Sequence, residues 1–138
     1  MYACPVEAMP ARMTTRPPVV LVADDEVTIL DLVTNLMQGE GYQVLPASDG
    51  HQALELSREY PGPIDLVITD MDMPRLNGSD LCSHLLEERP GIKVLVMSGD
   101  DMEKLRREAA FLPVLPKPFD CETLKARVRA LLDPGEAP

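Results

Sequence analysis

Four short apolar runs rich in branched side chains are the feature of this chain that most constrains its fold. Runs of this length and composition are typical of strands buried on both faces of a parallel sheet. Segments with the apolar spacing of helices separate them, and this alternation predicts an α/β fold built from βαβ units. The runs cover residues 19–23, 64–69, 92–97 and 113–116, and a further strand is predicted over residues 43–47.

A helix is predicted after each strand, which gives five strands and five helices. In the first helix, Val27, Leu30 and Val33 recur at helical spacing and predict an apolar face. The remaining boundaries come from glycine, proline and capping residues. In chain order they are an end of the first helix at Gly39 and Gly41, a second helix over residues 51–60, a cap at Ser79, a short fourth helix from Asp100 or Asp101, and a cap at Asp120.

Polar residues that suit phosphate chemistry stand directly after the predicted strands. Asp24 and Asp25 follow the first run, Asp70 and Ser98 follow the next two, and Lys117 follows the last. In an open α/β sheet, the residues beyond the carboxyl ends of the strands share one crevice. We therefore expect three carboxylates, a hydroxyl and an ammonium group to lie close together.

The three carboxylates require a partner, because clustered carboxylates repel one another and raise their own pKa values. Mg²⁺ is the expected cation, since it prefers oxygen ligands and completes its shell with water and phosphate oxygens. An aspartate can also act as a nucleophile and form an acyl phosphate while a metal neutralises the transferred group. Lys117 and Ser98 would hold the remaining phosphate oxygens.

This constellation, in this order, resembles the receiver domain of bacterial two-component response regulators over about residues 18–133, in the manner of a stand-alone chemotaxis receiver. The stretch from Asp70 to Pro74, with Gly78 after it, resembles the family's loop after the third strand. The resemblance implies a five-stranded parallel sheet in a doubly wound, flavodoxin-like order, with helices on both faces in a three-layer sandwich.

The resemblance also implies a role for each site residue. Asp70 would be the phosphoacceptor, and Ser98 and Lys117 would contact the phosphoryl group. Pro118 stands where the family carries a cis peptide bond, which is essentially a proline feature. The implied magnesium ligands are Asp25 directly, Asp24 through water, Asp70, and the main-chain carbonyl of Asp72.

Other interpretations remain open at this point. Each residue alone has a simpler explanation: Asp25 or Glu26 could cap the following helix, and Lys117 could be a solvated charge. The Asp70–Met71–Asp72 sequence also resembles the DxD signature of haloacid-dehalogenase-like phosphohydrolases, with Asp70 as nucleophile. Their motif order differs, because here an acidic pair precedes the nucleophile. A receiver excised from a hybrid kinase is a further alternative.

Composition excludes several other classes of protein. The formal net charge of -10 argues against direct contact with nucleic acid, because DNA-binding modules normally carry a basic face. No apolar stretch approaches the ~20 residues that would cross a bilayer. The three cysteines are odd in number and lack CxxC spacing, which favours the reducing cytoplasm. Cys82 and His84 are two residues apart on a predicted helix, so they do not share a face and do not predict a zinc site.

The predicted organisation is a flexible extension over residues 1–17, a receiver over 18–133 and a short tail over 134–138. With no output module recognisable in the tail, we expect a signalling receiver that stands alone and catalyses only its own phosphorylation and dephosphorylation. A histidine kinase or histidine phosphotransfer protein would be the phosphodonor, and an unidentified protein would read the result. Two departures from the family pattern concern this output. Val114 replaces the usual aromatic residue three positions before Lys117, and the segment between Ser98 and Lys117 is short.

Overall fold

A parallel five-stranded sheet forms the centre of the molecule. The computed structural model describes residues 16–99 and 112–133. The strands are arranged in the order β2-β1-β3-β4-β5, and every neighbouring pair is parallel. Their bounds are β1 Val19–Ala23, β2 Gln43–Ala47, β3 Leu66–Asp70, β4 Lys93–Ser98 and β5 Val114–Pro116. The predicted strands are confirmed, with shifts of one or two residues at their ends.

Four helices are described, two on each face of the sheet. They are α1 Val27–Gly39, α2 Gly50–Glu59, α3 Gly78–Glu88 and α4 Cys121–Leu132. Helices α2 and α3 pack on one face through residues such as Leu54 and Leu85, whereas α1 and α4 pack on the other through residues such as Val33 and Val128. This confirms the doubly wound, three-layer arrangement. The short fourth helix expected from Asp100 or Asp101 lies outside the described residues.

Alternate residues of the central strands supply the two cores. In β1, Leu21 faces the core shared with α2 and α3, and its neighbour Val22 faces the core shared with α1 and α4. All five residues of β1 and of β3 are buried, which explains why these strands read as continuous apolar runs rather than as an alternating pattern. The buried sheet therefore fixes the positions of the residues at its carboxyl edge.

One predicted helix cap is wrong. We expected Ser79 to cap the third helix, but Asn77 is the N-cap, and its side chain accepts a hydrogen bond of 2.8 Å from the backbone N–H of Asp80. The helix begins at Gly78, so Ser79 already lies within the first turn. The cap predicted at Asp120 is confirmed, since its carboxylate accepts from the N–H of Thr123 at 2.7 Å.

Both outer strands of the sheet contain a proline. Pro46 lies within β2, which pairs with β1 alone among the described strands, and Pro116 ends β5, which pairs with β4 alone among them. Within the part of the chain that the structure describes, no helix is long and apolar enough to cross a membrane.

Candidate functional site

The carboxyl edge of the sheet brings together the residues that the sequence singled out. Asp24 follows β1, Asp70 and Ser98 are the last residues of β3 and β4, and Lys117 follows β5. The backbone N–H of Lys117 donates to the carbonyl of Ser98 at 2.7 Å, which fixes the end of β5 beside β4. Asp24, Asp70 and Ser98 are buried, whereas Asp25 is exposed. The crevice thus has a buried acidic floor and one solvent-facing carboxylate.

Lys117 connects the two buried carboxylates. Its Nζ donates to Oδ1 of Asp70 at 2.8 Å and lies 3.6 Å from Oδ2 of Asp24. Burial is the largest single influence on the pKa of Lys117 and by itself would lower it. The hydrogen bond to Asp70 and the charges of both carboxylates together outweigh burial, so the pKa of Lys117 is raised above its ordinary value. The ammonium group therefore remains charged at neutral pH and compensates part of the acidic cluster.

Asp24 has one satisfied carboxylate oxygen and one that is not hydrogen-bonded. Its Oδ1 accepts from the backbone N–H of Glu26 at 2.8 Å. Its Oδ2 is buried and has no hydrogen-bond partner among the described residues, because 3.6 Å to Lys117 Nζ is too long for a hydrogen bond. Burial raises the pKa of Asp24, and the charge of Asp70 raises it further. An unsatisfied buried oxygen of this kind is a good ligand for a cation.

Asp70 is shielded from solvent at the end of β3. Burial raises its pKa, Asp25 raises it further, and hydrogen bonds from Lys117 and from the backbone of Asp72 counteract this effect. Carboxylate oxygens of Asp24, Asp25 and Asp70 all lie within 4.8 Å of one another. Mg²⁺ prefers hard oxygen ligands, and carboxylate oxygens are of this kind. The close carboxylates and the unsatisfied Oδ2 of Asp24 therefore fit a magnesium ion.

Two neighbouring residues were weighed in the sequence as possible caps of the first helix. Glu26 does occupy the N-cap position of α1, but its side chain makes no capping hydrogen bond. The carboxylate that contacts this backbone is that of Asp24. Asp25 points an oxygen towards the acidic cluster instead. Glu26 is therefore the N-cap residue by position but provides no side-chain cap, and Asp25 is not the cap.

The backbone around the crevice packs closely at Gly78. A Cβ at this position would collide with the carbonyl oxygen of Asp70 and contact Cα of Met71. The N–H of Gly78 donates to the carbonyl of Met71 at 2.8 Å and closes the loop after β3. Glycine is needed here because of close approach rather than because of a positive φ. The peptide bond between Lys117 and Pro118 is cis, as the sequence suggested.

Sequence reasoning missed an apolar cavity beside the acidic crevice. It has a volume of about 300 Å³ and is lined by Ile29 and Leu32 of α1 and by residues 117–119. Leu32 is 41% exposed, and Val27, at the start of the same helix, is 62% exposed. The helical periodicity of α1 contained the signal, because Ile29 and Leu32 lie outside the buried stripe of Leu30, Val33 and Met37.

Comparison with known proteins finds similar sequences over most of the chain. The family model of the response regulator receiver domain matches residues 20–129. The alkaline phosphatase synthesis transcriptional regulatory protein PhoP of Bacillus subtilis is 33% identical to the chain, over 85% of the chain and 49% of its own length. The sensor kinase CckA of Brucella abortus is 32% identical over 83% of the chain, but over only 12% of its own length.

Solved structures show the same fold. The response regulator TrrA of Thermotoga maritima, determined in complex with Mg²⁺-BeF, superimposes with a TM-score of 0.74 at 28% identity, covering 83% of this chain and 99% of that one. The chain spans about half the length of curated regulators that it matches.

Proposed function

From the premise that this chain belongs to the response regulator receiver domain family, we propose that Asp70 accepts a phosphoryl group from a histidine kinase or a histidine phosphotransfer protein. The observation that carries the proposal is the geometry of the crevice. A shielded carboxylate at a strand end is hydrogen-bonded to Lys117 and lies beside two further carboxylates that need a cation. The residues proposed as phosphoacceptor, cation ligands and charge-compensating ammonium group therefore lie together in one crevice.

The proposed transfer conserves atoms and charge. A carboxylate oxygen of Asp70 attacks the phosphorus of a phosphohistidine, an O–P bond forms, and the N–P bond breaks. The histidine leaves with the electron pair of that bond and takes up a proton. Mg²⁺ would neutralise the phosphoryl oxygens and lower their repulsion with Asp70. We assign as its ligands Asp25, Asp70 and the carbonyl of Asp72, with Asp24 acting through water.

Lys117 and Ser98 are proposed to respond to the new group. Phosphorylation adds nearly two negative charges and strong acceptor oxygens. Lys117 already lies 2.8 Å from Asp70, so its ammonium group can pair with a phosphoryl oxygen after a small movement. The hydroxyl of Ser98, at the end of the adjacent strand, would donate to another oxygen. Later attack by water would return Asp70 to its original state, so the receiver would catalyse only its own phosphorylation and dephosphorylation.

The phosphodonor is proposed to dock on the apolar surface next to the crevice. A phosphohistidine can reach the shielded Asp70 only if its protein covers the adjoining surface. Exposed Leu32 and Val27 and the cavity at Ile29 and Phe119 provide apolar contact area there. We expect Leu32→Glu to slow transfer from a phosphodonor protein and to leave phosphorylation by a small phosphodonor unchanged.

The output is proposed to reach an unidentified protein partner in the cytoplasm without an aromatic switch. Val114 is partly buried against the core, and its carbonyl accepts from Arg127 of α4 at 3.2 Å. Its β-branched side chain is stiff and cannot make the large rotation available to a tyrosine. We also expect the phosphorylated protein to stay monomeric, because the short segment between Ser98 and Lys117 offers little surface for a dimer. Residues 100–111 of this segment lie outside the described residues. Sedimentation of the phosphorylated protein tests this expectation.

Mass spectrometry provides the deciding experiment for the proposed function. The chain is mixed with a small phosphodonor such as acetyl phosphate, with and without Mg²⁺, and the added phosphoryl group is located. We expect one group per chain, on Asp70, only when Mg²⁺ is present. An unchanged addition in excess chelator, or addition at another residue, would contradict the proposal.

A further inference from the structure

The loop between β3 and α3, residues 71–77, contains a strained turn a few residues after Asp70. Arg75 has a φ of 69°, and no other non-glycine residue among those described has a positive φ. The N–H of Leu76 donates to the carbonyl of Pro74 at 2.7 Å. A hydrogen bond between residues two apart around a positive φ defines a γ-turn of the rare, strained kind. Such a conformation persists only where surrounding contacts hold it in place.

Packing against the start of α2 supplies one of these contacts. Gly50 is the first residue of α2 and lies directly against Leu76. A Cβ on Gly50 would approach the carbonyl oxygen of Leu76 to 2.7 Å and its side chain to about 3 Å, so the glycine is required for close approach. The loop after Asp70 is thus pressed against a helix that comes from a different βα unit.

The Arg75 side chain supplies a second connection to the same helix. Its Nη2 lies 3.5 Å from Oδ2 of Asp49, while Oδ1 of Asp49 accepts from the N–H of Gln52 at 2.8 Å and caps α2. The arginine therefore contacts a carboxylate that is already anchored. Because the Arg75 side chain is 71% exposed, the ion pair contributes little to global stability. We therefore expect its effect to be local to the loop.

We infer that Arg75 is a positioning residue for the metal and phosphoryl site. Together with its contact to Asp49 it holds the γ-turn, and the γ-turn fixes the main chain of Asp72. The backbone N–H of Asp72 bonds the Asp70 carboxylate. The inference rests on the proposed function for one point, the assignment of the Asp72 carbonyl as a Mg²⁺ ligand.

The direction of the effect distinguishes positioning from simple electrostatics. If Arg75 acted only as a nearby positive charge, its removal would strengthen Mg²⁺ binding, because repulsion between two cations would be lost. If it positions the loop, its removal weakens Mg²⁺ binding. The inference therefore predicts the opposite sign from that of the charge alone.

Three variants and one control test the inference. Arg75→Gly removes the side chain and tolerates the positive φ, and Asp49→Asn removes the ion pair while an asparagine still caps α2. The double variant shows whether the two act through each other. Arg58→Ala is the matched control. Arg58 forms an exposed ion pair with Glu88, with an N–O distance of 2.7 Å, and this pair does not contact the acidic cluster.

Mg²⁺ titrations followed by amide NMR shifts give the main measurement. We expect Arg75→Gly to weaken Mg²⁺ binding roughly threefold to tenfold, less than the loss that follows removal of a group bonded directly to a metal ligand. The double variant should be no weaker than the stronger single effect, and Arg58→Ala should bind as the wild type does. In the metal-free protein, the N–H groups of Leu76 and Gly78 should exchange faster in Arg75→Gly, with the melting temperature unchanged or higher.

Two results would overturn the inference. Mg²⁺ binding by Arg75→Gly that equals or exceeds that of the wild type would reduce Arg75 to a surface charge. Unchanged amide exchange at Leu76 and Gly78 would show that the arginine does not hold the turn. A wild-type protein that binds no Mg²⁺ and accepts no phosphoryl group would contradict the proposed function itself, whereas the two results above would leave it standing.

Discussion

The two ends of strand β3 each carry an aspartate, and the two differ sharply in surroundings. Asp65 precedes the strand and accepts from Nη1 of Arg16 and from the backbone N–H of Val19, both at 2.8 Å. Asp70 ends the strand and accepts from Lys117, but two further carboxylates lie close to it. Hydrogen-bond donors match the acceptors around Asp65, whereas negative charge exceeds positive charge around Asp70.

A second group at the Asp65 end shows the same balance. Arg89 follows α3, and its guanidinium donates to the hydroxyl and the carbonyl of Ser57 and to the carbonyls of Tyr60 and Gly62. It therefore satisfies the last turn of α2, where free carbonyls need donors. The difference teaches that this sheet has a structural end with satisfied polar groups and an acidic end. Among the described residues, the acidic end leaves Oδ2 of Asp24 without a hydrogen bond, which suits the proposed binding of a cation and a phosphoryl group there.

The largest expected effect comes from exchanging the carboxylate at either end for an amide. Asp70→Asn should abolish phosphorylation, because the amide lacks the nucleophilic oxygen. Asp65→Asn should be phosphorylated as the wild type is, and should lose less than about 1 kcal/mol of stability since its ion pair is partly exposed. Phosphoryl incorporation measured by mass spectrometry tests both. Equal incorporation in the two variants would remove the functional distinction between the ends.

Mg²⁺ should stabilise the whole protein by binding at the Asp70 end of the sheet. A ligand that binds only the folded state raises the free energy of unfolding by about 2.7 kcal/mol at a concentration 100 times its Kd. We expect Mg²⁺ to raise the urea midpoint of the wild type, measured by circular dichroism, and chelator to reverse it. The shift should disappear in Asp70→Asn and persist in Asp65→Asn. A shift that survives in Asp70→Asn would place the ion elsewhere.

Removal of Arg89 should damage the structural end without affecting the chemistry. Arg89→Met leaves carbonyls of α2 and of residue 62 without their donor, and we expect a loss of about 2 kcal/mol in the free energy of unfolding. The folded fraction should accept a phosphoryl group at the wild-type rate. Arg58→Ala serves as a control for loss of an exposed arginine. A slower phosphorylation rate in Arg89→Met would couple the two ends.

The smallest expected effect is a dependence of stability on pH at Asp24. Its pKa is raised in the folded state, so the folded protein binds more protons than the unfolded chain between the ordinary aspartate pKa and the raised value. Stability therefore decreases as pH rises through this window. Metal-free Asp24→Asn should be more stable than the wild type at neutral pH, and the difference should shrink on acidification. Urea titrations in chelator at several pH values measure it, and a constant difference would contradict the assignment.

Much of the site was predictable because its residues stand at strand ends. Branched apolar runs locate the parallel strands, and the geometry of such a sheet brings Asp70 and Lys117 together without any knowledge of loop structure. Asp24 and Asp25 are adjacent and identical in the sequence, so the sequence alone could not show that one is buried and the other exposed. That difference depends on the direction in which the chain leaves β1.

Contacts between distant loops were not predictable. The pairing of Arg75 with Asp49, and the hydrogen bonds from Arg89 to residues of α2 and the loop after it, join segments that are brought together only by the packing of whole helices. The cap of α3 was also mispredicted, because Asn77 and Ser79 are both good capping residues and only the loop conformation selects between them.

The prolines in the outer strands have a consequence for the behaviour of the protein at high concentration. An outer strand with free N–H and C=O groups can template the addition of a strand from another molecule, which is a route to aggregation. Pro46 in β2 and Pro116 in β5 remove a backbone donor from each outer strand of the described sheet. Intermolecular β-pairing is thereby disfavoured at both sides of a sheet whose interior strands are otherwise strongly apolar.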